Sequence, residues 1–110
     1  MNTINENKIE IIDKIDKILN ISFNQDNSCF SISTEKGFKI YEVYPFEKEY
    51  SRYMDGGIKQ TELYYRSNIL ALIGGGINPK FNPKKLILWD DSLNKERFII
   101  CNFPKKNIFI

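Results

Sequence analysis

Residues 21–33 read ISFNQDNSCFSIS, and residues 61–73 read TELYYRSNILALI. Shifted by 40 positions, the second stretch falls on the first: Phe23 meets Leu63, Asn27 meets Ser67, Ser28 meets Asn68, Phe30 meets Leu70 and Ile32 meets Leu72. In the first copy Phe30 and Ile32 take one side of a period-two pattern, and Ser31 and Ser33 the other. That alternation predicts a half-buried strand over Ser28–Thr34. Upstream, Ile21-Ser22-Phe23 leads into a turn at Asn24-Gln25-Asp26-Asn27, residue types that bond their own backbone and tolerate left-handed conformations. Downstream, Glu35-Lys36-Gly37 reads as a tight turn and Phe38–Val43 as the next strand, which Pro45 ends. The charged stretch Phe46–Arg52 reads as a loop, and Tyr53-Met54 as a short edge strand before a Gly56-Gly57 turn.

The second copy is expected to follow the same order. Thr61–Tyr65 and Ile69–Ile73 read as strands, and Gly74-Gly75-Gly76 breaks the second of them. Ile77–Lys84 reads as a loop holding Pro79 and Pro83. Leu86–Trp89 is the next strand, Asp90-Asp91-Ser92 a turn, and Glu96–Asn102 a further strand. The third strands align at a shift of 48, with Ile40-Tyr41-Glu42 on Leu88-Trp89-Asp90. A unit of short strands recurring at roughly 40–45 residues is the signature of a β-propeller blade. Trp89-Asp90 at the end of a third strand is the dipeptide that marks WD repeats.

The chain has 110 residues, 42% of them hydrophobic and 27% charged, with a net charge of +2. One domain is the most that this length suggests, and the charge balance gives no case for nucleic-acid binding. There is no histidine, which excludes Ser-His-Asp and Cys-His nucleophile pairs and histidine-held zinc or haem. Cys29 and Cys101 form no CxxC pair, so a zinc ribbon or thioredoxin-like site is excluded. Both are expected to pack as small apolar residues. Asn5–Leu19 carries Ile9, Ile12, Ile15 and Leu19 at helical spacing, which predicts a short amphipathic helix or a poorly ordered tail. Met1–Asn20 lacks the continuous apolar core of a signal peptide, and no apolar run approaches the ~20 residues of a membrane span. A cytoplasmic location with reduced cysteines is therefore expected.

Four segments carry a resemblance to a known family: Phe23-Asn24-Gln25-Asp26, Gly37-Phe38-Lys39-Ile40-Tyr41, the run Arg66 to Gly76, and Leu88-Trp89-Asp90-Asp91. Over about residues 20–103 the chain resembles the first two blades of the PROPPINs, WD-repeat β-propellers that interact with phosphoinositides in autophagy. The resemblance implies an all-β fold of antiparallel blades, the N-terminal fragment of a seven-bladed propeller. Its expected organisation is an N-terminal extension over 1–19, a first blade over 20–57, a second over 58–103, and the start of a third over 104–110. It implies a scaffold or adaptor that recruits the autophagy lipid-transfer protein, with no cofactor and no catalysis. Asn24 and Asp26 in the first turn, and Pro83 and Lys84 in the blade-two loop, match the family's partner-binding positions. The family's lipid sites flank a Phe-Arg-Arg-Gly motif. Here Arg52, Arg66 and Arg97 are never adjacent, so binding to a phosphoinositide membrane is expected only of a full-length relative.

Each feature also has a plainer account. Asn24 and Asp26 are good turn residues in any fold. Gly74-Gly75-Gly76 lacks the lysine and helix of a phosphate loop, so it reads as a sharp strand end. Asp90-Asp91 reads as a solvated turn, its two acids pointing in different directions. Trp89, Tyr41, Tyr64 and Tyr65 read as packing between blades. Residues 77–110 carry seven basic residues against three acidic, a solvated basic rim with at most weak attraction to an acidic surface. Two alternatives remain beside the scaffold: a relic of such a gene, or a stand-alone β-domain using carboxylates such as Asp55 and Glu62.

Overall fold

The computed structural model describes residues 16–100. Among them are eight strands and no helix: β1 (Ile18–Phe23), β2 (Cys29–Thr34), β3 (Gly37–Glu42), β4 (Glu47–Tyr53), β5 (Ile58–Leu63), β6 (Ile69–Gly74), β7 (Leu86–Asp90) and β8 (Lys95–Ile100). They form two four-stranded sheets, β1-β2-β3-β4 and β5-β6-β7-β8, with every neighbouring pair antiparallel. Short turns join most consecutive strands and favour this meander, while the longer loop 75–85 links β6 to its neighbour β7.

The repeat seen in the sequence is a repeat of register. The ladder between the first two strands shifts between Ile18 and Asn20, and again between Ile58 and Gln60, 40 positions on. The ladder between the outer two shifts at Ile40/Tyr41 and at Leu88/Trp89, 48 positions on. The turns correspond as well. Asn24 N–H donates to Cys29 O at 2.9 Å, as Tyr64 N–H does to Ile69 O at 3.0 Å. Bulges bend and twist a strand locally, so repeating them gives the two sheets the same shape and lets them stack. Trp89-Asp90 closes β7, the third strand of its sheet.

The core lies between the sheets. Cys29, Phe38 and Ile40 of the first meet Ile58, Leu63, Leu70, Leu72, Ile87 and Trp89 of the second, and Met54 from the connection joins them. The inner part of the contact is polar. Ser31 and Ser33 are 1% and 0% exposed, while Phe30 and Ile32 on the opposite face are only half-buried. Ser31 Oγ donates to Thr61 O at 2.7 Å, and Ser33 Oγ donates to Thr61 Oγ1 at 2.8 Å. The face that packs on the neighbouring sheet is thus the serine face. Small side chains allow β2 and β5 to approach closely, and their hydroxyls find partners there instead of remaining unpaired.

Four local expectations are corrected. Phe46–Arg52 is not a loop, because Glu47–Tyr53 is a strand. As the outermost strand it keeps mostly polar side chains in solvent, so apolar alternation is missing, and only Tyr50 and Arg52 are half-buried. Thr61–Tyr65 is displaced: β5 runs Ile58–Leu63, leaving Tyr64 and Tyr65 in the turn. Leu19 belongs to β1 and not to a helix. Asp90-Asp91 is not solvated: Asp90 pairs with Arg97 at 3.1 Å and Asp91 with Arg52 at 2.5 Å. The predicted helix before Asp16, Cys101, and the segment from Pro104 onward lie outside the described residues.

Candidate functional site

The first turn is built by Asn24 and displayed through Asp26. Asn24 is 4% exposed. Its Oδ1 accepts from Cys29 N–H at 3.1 Å, and its Nδ2 donates to Ser28 Oγ at 3.1 Å and to Tyr65 O at 3.0 Å. The last of these bonds crosses to the second sheet. Beside it Tyr65 N–H donates to Gln25 Oε1 at 2.6 Å, and Arg66 pairs with Glu42. Asn27 sits at φ 61°, a left-handed conformation that asparagine tolerates. The turn is therefore fixed to both sheets.

Asp26 is exposed on this fixed turn. Its Oδ1 accepts from Ser28 Oγ at 2.6 Å and Ser28 N–H at 3.0 Å. The Ser28 hydroxyl, then its N–H, hold the carboxyl below its usual range by favouring the ionised form. At neutral pH the turn presents a positioned negative charge. Exposed Tyr44 and Phe46, and half-exposed Tyr64 and Tyr65, lie in turns at the same end of the sheets. Phe46 stacks on Tyr41 with centroids 5.5 Å apart, and Tyr41 on Phe30 at 5.3 Å. Of the four aromatics expected between the sheets, only Trp89 belongs to the shared core. Tyr41 stacks on the far face of the first sheet, while Tyr64 and Tyr65 meet edge-to-face in the turn.

Pro83 and Lys84 occupy another turn. Asn82 O accepts from Lys85 N–H at 3.0 Å, and Asn82 Oδ1 from Lys84 N–H at 2.8 Å. Asparagine first and proline second suits a tight turn. Lys84 is exposed, and Pro83 lines a cavity of about 380 Å³ with Leu19, Lys59, Gly75 and Gly76. Ile77 N–H, in the same loop, donates to Glu35 Oε1 at 2.9 Å. Leu19 lies near the start of β1 and Glu35 follows β2, so this loop lies at the end of the sheets opposite Asp26. A six-residue strand, about 17–20 Å long, separates the two. The structure does not bring the four candidate residues together.

Gln25 and Ser28 were missed as organisers of the first turn. Their only signal was membership of a polar run, and their partners, Tyr65 and Asp26, are set by folding. Among the described residues no three metal-binding side chains cluster. No helix there is long and apolar enough to cross a membrane. Asp55 accepts from Tyr53 Oη at 3.2 Å and Glu62 from Ser22 Oγ at 2.9 Å, so these two acids make separate local bonds and form no pair.

This stack of bulged four-stranded sheets has known counterparts. Kluyveromyces lactis Hsv2 superposes with a TM-score of 0.73 at 28% identity, over 86% of this chain and 28% of that one. The chain is a PROPPIN relative. SVP1-like protein 2 of Schizosaccharomyces pombe is 45% identical over 90 residues, covering 80% of this chain and 25% of that protein. Its namesake in Saccharomyces cerevisiae is 43% identical over 89 residues, covering 73% and 20%. The chain thus spans about a quarter of the length of these curated relatives. KlAtg21, solved in complex with the coiled coil of AgAtg16, shares the fold with a TM-score of 0.61 at 24% identity. No family model matches the chain.

Proposed function

We propose that this chain is a non-catalytic scaffold segment of the PROPPIN type, acting in autophagy. It works in the cytoplasm and on autophagic membranes, where the remainder of a complete propeller supplies phosphoinositide binding. The observation that carries this reading is Asp26: an ionised carboxylate, exposed, and held on a turn that is bonded to both sheets. Rigid scaffolds that display exposed loop residues are the usual place for partner binding. Asp26 and the neighbouring exposed aromatics form the primary contact for the autophagy lipid-transfer protein. Asn24 holds the turn from beneath. Pro83 and Lys84 contribute where an extended partner segment runs the length of the strands to the other end.

The test is capture of the lipid-transfer partner by the intact protein carrying Asp26→Asn. The amide keeps an oxygen for Ser28 and removes the charge, so the turn is preserved. Capture is expected to weaken roughly fivefold, the equivalent of about 1 kcal/mol for an exposed charge contact. Lys84→Ala should weaken it less. Undiminished capture by the Asp26→Asn, Lys84→Ala double variant would remove both turns from the interface.

A further inference from the structure

Arg66 has acids on either side of it. It follows Tyr65 in the β5–β6 turn, and the Tyr65 carbonyl and N–H are bonded to Asn24 and Gln25. The residues just before Arg66 are thus in contact with those just before Asp26, and the long arginine side chain starts beside the displayed carboxylate. It turns the other way. Its Nη2 donates to Glu42 Oε2 at the end of β3. Glu42 is crowded by further acids. Glu47 faces it across the β3–β4 ladder, and the Glu49 carboxyl bonds to that of Glu42, which raises the Glu49 pKa. Cys29 faces Glu42 across the other ladder. Among the described residues Arg66 is the only cation paired with Glu42, Glu47 or Glu49.

The Arg66 side chain is 52% exposed and that of Glu42 19%. An ion pair so open to water is weak by itself, so the balance of charge on the two sides decides which acid the arginine takes. The bond to Glu42 raises the Arg66 pKa, with Cys29 and Glu49 adding to the effect. Asp26 offers less. Its carboxylate already accepts from Ser28 Oγ and Ser28 N–H. Those two bonds hold it below its usual range, and Arg66 adds a smaller pull in the same direction. The guanidinium is therefore within electrostatic reach of Asp26 while bonded elsewhere.

We propose that Glu42 and Glu49 are positioning residues that hold Arg66 away from Asp26, so that the first turn presents an uncompensated carboxylate to a basic side chain of the partner. This rests on the reading of Asp26 as the partner contact. Without the two glutamates Arg66 swings to Asp26, pairs with it and closes the contact.

The test is capture of the lipid-transfer partner by the intact protein carrying a set of variants. Glu42→Gln with Glu49→Gln should weaken capture roughly fivefold, as Asp26→Asn does, the equivalent of one exposed charge contact. Added to Asp26→Asn, the same two changes should weaken it no further, because the charge they mask is already gone. Adding Arg66→Gln to Glu42→Gln and Glu49→Gln should restore capture, and Arg66→Gln alone should bind at least as tightly as the unchanged protein. A latch that merely joined the sheets would behave oppositely: loss of Arg66 would weaken capture by itself and rescue nothing. A second readout needs no partner. The Asp26 carboxyl carbon, identified by its absence in Asp26→Asn, is titrated by NMR. Its pKa should fall further in the Glu42→Gln, Glu49→Gln protein, and the fall should disappear when Arg66→Gln is added. A fall that survives Arg66→Gln reflects only the loss of two negative charges and overturns the proposal. So does an unmoved Asp26 pKa, or capture that Arg66→Gln fails to restore. An arginine-dependent fall together with capture indifferent to Asp26→Asn would keep the holding of Arg66 and overturn the reading of Asp26 as a partner contact.

Discussion

Asn24 and Asp26 are two positions apart and do different work. Asn24 spends its amide on three bonds, one of them to the opposite sheet. Asn24→Ala would leave the Cys29 N–H and the Tyr65 carbonyl without this partner, and should cost about 2 kcal/mol in urea unfolding. Asp26→Asn should be near-neutral in the same measurement. Parity of the two losses would refute this division of roles. Asp26 is therefore the cleaner probe of partner contact. Acid should reveal the aspartates themselves. Ser92 Oγ and N–H hold Asp90 below its usual range, with Arg97 adding to the effect, as Ser28 does for Asp26. A lowered folded-state pKa contributes stability that is complete above the unfolded value near 3.9 and is lost as pH falls through the folded value. The melting temperature should therefore decline as pH drops below about 4. Ser92→Ala should make that decline shallower. Glu49 opposes part of it, because its bond to Glu42 raises its pKa, so that its protonation relieves the folded state.

At the level of elements, β4 is tied to the turn that follows β7 by one ion pair. Arg52 places Nε on Asp91 Oδ1 at 2.7 Å and Nη2 on Asp91 Oδ2 at 2.5 Å, with its guanidinium 4.6 Å from the centre of the Tyr50 ring. Trp89 Nε1 donates to the same Asp91 Oδ1 at 3.2 Å. The fork geometry is specific to arginine. Arg52 is 35% exposed at its side chain and Asp91 8%, so solvent weakens the pair while loss of one partner strands an acid. Arg52→Ala should cost about 1–2 kcal/mol. Asp91→Asn in the same background should recover part of that. A double-mutant cycle with no coupling would show that this pair adds nothing to the joining of the two sheets.

At the level of the molecule, the two sheets are alike in design and unlike in exposure. Ile18, Ile21 and Phe23 are about half exposed, whereas their counterparts 40 positions on, Ile58, Thr61 and Leu63, are buried. The second sheet is covered by the first, while this part of the first sheet's far face stands open. Exposed apolar faces of this kind drive association, and repeat arrays generally need three or more units. The isolated chain should associate at micromolar concentration in sedimentation velocity and melt without a sharp transition. Ile21→Lys with Phe23→Lys should shift it toward monomer. A monodisperse wild-type chain with a cooperative melt would overturn this.

The sequence alone determined the all-β fold, the two-fold repeat, the place of Trp89-Asp90 and the resemblance to the PROPPINs. Strand alternation, turn chemistry and spacing are local properties that survive in one dimension. It did not reveal β4, because an outer strand in solvent has no apolar period to show. The tertiary structure decided which face of β2 is buried, since Ser31 and Ser33 become interior only when Thr61 arrives 30 and 28 positions away to bond them. It also decided that Asn24 is hidden while Asp26 is displayed, and that Pro83 and Lys84 lie at the other end of the strands. Arg52 and Asp91, 39 positions apart, likewise meet only in the fold, because sheet register and packing join residues without regard to their distance along the chain.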